Sequence, residues 1–217
     1  FGFIFTFFSS FGQSFFLGLF NSSIRDALSI THGQFGSIYA SATLLSSFIL
    51  VWIGKKIDDF NILKFASYVI ALLAISCFLF SKISSVVFLF LSIFLMRLSG
   101  QGLMSHTATT TISRFFEKTR GRALSITWLG LSLAEFILPL LIIFLLTFVD
   151  WRNIWIVISI FVIVVLPIIT FSLVKNIKLD SRETVSLNEV KTKEIKQWKR
   201  SEVLKDYRFY IICLTML

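Results

Sequence analysis

Six apolar runs of roughly 17 to 26 residues follow one another along this chain, each long enough to cross about 30 Å of hydrocarbon as an α-helix. They cover residues 1–20, 35–53, 65–81, 84–109, 123–148 and 154–174, and a seventh begins near Phe209. Inside lipid every backbone N–H and C=O must be satisfied within the segment, which selects helices for runs of this length. A mean hydropathy of +0.85 with 56% hydrophobic residues and only 15% charged ones excludes an ordinary soluble domain. The fold class expected is all-α, a polytopic membrane helical bundle of six transmembrane helices plus the start of a seventh. The third run is the shortest, and Lys64 and Lys82 at its ends can snorkel to the two interfaces.

The division expected is a six-helix half at 1–174, a basic cytoplasmic linker at 175–208 and a truncated seventh helix at 209–217. The chain lacks an initiator Met and starts and stops inside apolar runs, as a piece of a longer polytopic protein would. The first run is too long and too densely apolar for a signal peptide.

The 21 Lys and Arg residues set the orientation. With loops assigned alternately to two sides, seventeen fall on one side, and the other holds Arg25, Lys82 and Arg152. The basic side is cytoplasmic by the positive-inside rule, which puts the amino end there too. The expectation is an integral multi-pass protein of a bacterial inner (cell) membrane. A net charge of +9 distributed in this way speaks for lipid and against nucleic acid as a partner.

Local signals agree with these boundaries. Thr31 and Gln34 fit a capping box opening the second span, and Asp150 fits a cap on the sixth. Trp151 and Trp155 are expected in the outer interfacial belt, with Trp52 and Trp128 near the inner one.

Of the charged residues, only Arg97 and Glu135 interrupt the apolar runs. A charge near mid-bilayer costs about 2.5–3.5 kcal/mol on insertion scales and marks a candidate site. Helical rise places the two at similar depth on consecutive spans. Arg97 reads either as an anion-binding charge open to a central cavity or as one satisfied by Glu135 or by backbone carbonyls. Glu135 reads as a carboxyl able to change its proton as a partner moves, or as a static pairing. Pro139 removes the helical partner of the Glu135 carbonyl. Gln101 lies one turn from Arg97 on its face, while Gly100 and Gly102 suit close helix packing. Gln13 with Tyr39 is the neutral pair expected to contact substrate; other Ser and Thr residues in the spans are expected to bond their own backbone.

Two motifs carry a family resemblance. Gly54-Lys-Lys-Ile-Asp58, between the second and third spans, opens like a signature loop, with Asp59, Asn61 and Lys64 departing from its continuation. Arg97-Leu-Ser-Gly-Gln-Gly102 is followed by Ser113-Arg-Phe-Phe-Glu-Lys-Thr-Arg-Gly-Arg-Ala-Leu124, and Asp150-Trp-Arg152 enters the sixth span. Together they resemble the amino-terminal half of a major facilitator superfamily transporter, loosely like its monocarboxylate and oxalate/formate branches. The resemblance implies alternating access to a small solute, an organic anion given Arg97, with possible proton coupling through Glu135 and Arg97. It implies that Gly54 and Asp58 gate conformation by tying the second span to the absent carboxy-terminal half, and that Gln13 and Tyr39 line the cavity.

No cofactor is expected. His32 and His106 sit at opposite boundaries and cannot share a metal, and Cys77 and Cys213 read as buried small hydrophobes. No nucleophile–base pair at one depth supports an enzyme, and no Walker-type loop supports nucleotide-driven transport. The alternative to a transporter is a non-transporting membrane receptor or assembly subunit.

Overall fold

The computed structural model describes residues 1–116, 118–174, 200–203 and 205–215. Glu117, most of the expected linker and the side chain of Cys213 lie outside the described residues. The chain divides into two units, Phe1–Asn176 and Ile177–Leu217. All regular structure among the described residues is helical.

In the first unit α1 (Gly2–Ser9) runs into a 3₁₀ turn (Ser10–Gly12), then α2 (Ser14–Gly18) and α3 (Asn21–Leu28). Next come α4 (His32–Lys55) and α5 (Ile62–Ser81). α6 (Val86–Met96) continues through a π-helix (Arg97–Met104) into α7 (Ser105–Phe115), and α8 (Arg120–Leu146) and α9 (Trp151–Val174) complete the bundle. Among the described residues five helices are long and apolar enough to cross a membrane, or six if the bent pair Gly2–Gly18 with Asn21–Leu28 is one span.

The helix entries follow from side-chain chemistry. The capping box opening α4 is present in full: Gln34 N donates to Thr31 Oγ1, and Thr31 N donates to Gln34 Oε1 at 2.8 Å. Asn61 and Ser85 cap α5 and α6 in the same way, and Asp150 accepts from the Arg152 amide at 2.8 Å to open α9. Each such cap satisfies an amide that would otherwise be left without a partner in oil. In the second unit Asp206 accepts from the Arg208 amide and opens a helix at Tyr207–Thr215, two residues ahead of the expected start.

α5 lies along α9, α1 along α8, and α4 against α6 and the π-helix. Lipid removes the hydrophobic drive between helices, so close contact of small residues and interhelical hydrogen bonds hold the bundle. A Cβ on Gly130 would fall 2.1 Å from the Phe3 carbonyl oxygen, which brings α8 onto the backbone of α1. Thr6, buried in that seam, donates to the Thr127 carbonyl, and Ser159 of α9 donates to the Ala74 carbonyl of α5 at 2.8 Å. Most other buried hydroxyls bond a carbonyl one turn back in their own helix, as Ser76 does with Leu72 and Thr107 with Leu103. The outer faces stay apolar: Phe48, Phe136 and Phe144 are all more than half exposed.

Two expectations need correction. The first span is not one straight helix: α1 with α2 is bent by 64° from α3, and an earlier break falls at Gln13, whose φ/ψ of −81°/155° is extended. Trp151 and Trp155 do not sit in the interfacial belt. Both are buried, and Trp155 packs its ring against Phe80, Phe20 and Phe16 at centroid distances of 4.5, 5.0 and 5.5 Å. That aromatic cluster, rather than the headgroup region, holds the start of α9. Trp52 and Trp128 are exposed.

The glycine seams give a direct test. A Cβ on Gly12 would lie 2.3 Å from the Met96 carbonyl oxygen, whereas one on Gly18 would meet nothing within 4 Å. Gly12→Ala and Gly130→Ala are expected to destabilise the protein by about 1–3 kcal/mol through overpacking. Thermal unfolding in detergent should fall for both and stay unchanged for Gly18→Ala.

Candidate functional site

The break at Gln13 frees a backbone carbonyl inside the bundle. In an unbroken helix the Gly12 carbonyl would accept from Phe16; with Gln13 extended it needs another donor. Arg97 supplies it. Its Nη1 donates to the Gly12 oxygen at 3.1 Å and to Ser14 Oγ at 3.2 Å. The close approach depends on two glycines: a Cβ on Gly100 would lie 2.7 Å from the Gly12 nitrogen, and one on Gly12 would lie 2.8 Å from the Gly100 Cα.

Tyr39 of α4 completes the group. Its hydroxyl donates to Ser14 Oγ at 2.9 Å, and the Arg97 guanidinium lies over its ring at 5.4 Å, within cation–π range. Ser14 Oγ thus accepts from two residues on two other spans. Arg97 is 8% exposed, and its Nε has no hydrogen-bond partner among the described residues. A guanidinium can only donate, so this site offers positive charge and an unused donor in a low-dielectric setting.

The π-helix begins at Arg97. Its i→i+5 pattern is rare and tends to occur at functional sites. A π-turn takes slightly more than four residues, so Gln101, four residues on, stays near the face of Arg97. Gln101 is half-buried and Arg97 buried. Gly102 packs against Leu50 instead, with 3.1 Å between a built Cβ and Leu50 Cδ1.

Of the two partners expected for Arg97, a backbone carbonyl is present and Glu135 is not. Glu135 is exposed on α8, and no ion pair joins it to Arg97. The α8 stripe facing the bundle is Thr127, Gly130, Ala134, Leu138 and Ile142, and Glu135 is one residue off it. Gln13 is half-buried at the break, where its backbone forces the extended turn but its side chain makes no cap. The contact with Tyr39 falls to its neighbour Ser14, which bonds across the bundle rather than to its own backbone. The Gly12-Gln13-Ser14 triplet inside an apolar run was the available signal.

At the other end of the bundle Gly54 and Asp58 bind the fourth span. His106 Nε2 lies 3.0 Å from the Gly54 carbonyl, and an imidazole facing a carbonyl must donate. Asp58 forms an ion pair with Arg114, whose Nη1 also reaches the Ile57 carbonyl at 3.4 Å. Both signature-loop residues therefore engage α7. No cluster of three or more metal-ligating side chains occurs among the described residues.

Removing the Arg97 head group strands the Gly12 carbonyl in the bundle. Arg97→Ala is expected to cost about 1–3 kcal/mol, the penalty for a buried acceptor without a donor. Arg97→Lys, which keeps a donor within reach, should recover part of it in the same thermal unfolding measurement.

Neither a curated protein nor a solved structure matches the chain. The family model described as Major Facilitator Superfamily matches residues 2–217. Members of that family are membrane transporters and not enzymes, and their partners are a small-molecule solute and the bilayer. Its match over nearly the whole chain, together with the apolar helical bundle, assigns this chain to the major facilitator superfamily.

Proposed function

We propose that this chain forms the amino-terminal half of a secondary active transporter that moves a small organic anion, such as a monocarboxylate, by alternating access against a carboxy-terminal half. The reading is carried by one observation: a buried guanidinium with no carboxylate partner among the described residues, held by a carbonyl and a hydroxyl and keeping Nε unused. Arginine and a carboxylate form paired, often bidentate hydrogen bonds in which both partners are ionised, which a carbonyl or a hydroxyl cannot match. A carboxylate reaching Arg97 therefore replaces weaker partners with a stronger one. Tyr39 and Ser14 are assigned to the substrate site with Arg97, and Gln13 and Gln101 to its edge. Gly54 and Asp58, joined to α7, are assigned to gating.

Glu135, exposed on α8, is assigned to proton coupling. Its separation from Arg97 in this conformation favours a carboxyl that acts on the proton independently of the anion. The amino end is placed in the cytoplasm, because seventeen of the 21 basic residues fall on that side.

Uptake of carboxylates into proteoliposomes by the full-length protein tests the reading. Arg97→Ala is expected to lower kcat/KM by about 30-fold or more, equivalent to about 2 kcal/mol of charge-assisted binding. Carboxylate uptake indifferent to Arg97→Ala would refute the assignment. For Glu135→Gln the expected outcome is loss of stimulation by an imposed pH gradient, with counterflow exchange retained. Undiminished stimulation would remove Glu135 from the mechanism.

A further inference from the structure

Between the end of the first span and the start of α4 lies a cavity of about 470 Å³, within the roughly 300–1,000 Å³ range of small-molecule sites. Its polar lining is Ser14, Asn21, His32 and Tyr39, with no Asp or Glu among the lining residues. Phe35 stacks beside Tyr39 at 6.3 Å.

The chemistry of this lining has one sign. Arg25 Nε donates to Asn21 Oδ1 at 2.8 Å. Because arginine only donates, that contact fixes the amide oxygen towards Arg25 and leaves the two Nδ2 donors for the cavity. The first turn of α4 forms one wall, and the positive end of its dipole adds to the field. At the floor, Ser14 and Tyr39 separate the cavity from Arg97, which touches both. Charge of one sign behind low-dielectric walls raises the local concentration of the opposite ion.

We infer that this cavity is an anion-entry site, taking a small carboxylate before it reaches Arg97, and that Tyr39 bonded to Ser14 is the door between the two. The inference rests on the anion reading of Arg97 given above. The door is one neutral hydrogen bond. An arriving carboxylate takes the donors of Tyr39 and of Arg97 Nη1 from Ser14, exchanging a neutral bond for a charge-assisted one at Tyr39 and a hydroxyl for an ionised acceptor at Arg97.

The test uses the full-length protein in intact cells, with Cys77→Ser and Cys213→Ser to remove the native thiols and Gly36→Cys as the reporter. Gly36 lines the cavity, and a Cβ there meets nothing within 4 Å. Two membrane-impermeant methanethiosulfonate reagents, one an anionic sulfonate and one a cationic trimethylammonium, are applied from outside. Their rates are normalised to those with free cysteine. The anionic reagent is expected to be favoured by about threefold or more. Arg97→Gln should abolish the bias and Arg97→Lys keep it. Tyr39→Phe, which removes the hydroxyl and keeps the ring, should increase it.

Equal normalised rates, a bias unaffected by Arg97→Gln, or a bias reduced by Tyr39→Phe would overturn the inference. So would a reporter that reacts only after denaturation, a control that also accounts for misfolded protein. Failure of the transport reading is separable: there the labelling bias persists while carboxylate uptake ignores Arg97→Ala. In the converse case uptake depends on Arg97 and the bias is absent.

Discussion

The first span and the fourth meet backbone to backbone at Gly12 and Gly100, and the Arg97 guanidinium bonds the carbonyl that this meeting leaves open. Each part requires the others. Without the break at Gln13 there is no free carbonyl; without the two glycines the chains stand too far apart. Without the guanidinium the carbonyl loses its donor inside the bundle. Tyr39 and Ser14 join the same centre, so a charge that is costly in oil becomes the tie between three spans.

Around this centre the core is apolar, but small hydroxyl residues are mixed into it and the outer faces are apolar too. Small hydroxyl residues such as Thr6, Ser76 and Ser99 are buried, while large apolar side chains such as Phe48 and Phe136 face outward. Many of the buried hydroxyls bond a carbonyl locally or across a seam, as Ser76, Thr107 and Thr6 do, while Ser10, Ser92, Thr111 and Thr170 have no partner among the described residues. Trp155, wedged among Phe16, Phe20 and Phe80, fixes the first span, α5 and α9 together.

Much of the fold was legible in the sequence because run length and caps are local properties. Thr31, Gln34 and Asp150 act where local chemistry placed them. Arg97 was legible as a site residue because a charge in an apolar run is conspicuous at any distance from its partners. Those partners were not. Gly12 and Ser14 lie 85 and 83 positions away and make their contacts through a carbonyl and a hydroxyl. No composition or periodicity marks such groups as acceptors. The pairing with Glu135 failed for a related reason: α8 is apolar on nearly every side, so nothing in its pattern says which face turns inward. Ala134, not Glu135, is buried. The π-helix was invisible because an added residue per turn leaves the hydropathy of a span unchanged.

The contact of Gly12 with Gly100 has an evolutionary consequence. Most tight contacts between side chains can drift, one partner enlarging as the other shrinks. Here both positions already carry the smallest residue, and the atoms they press against are main chain. No compensating second substitution exists at either position, so the pair can change only if the spans themselves move apart.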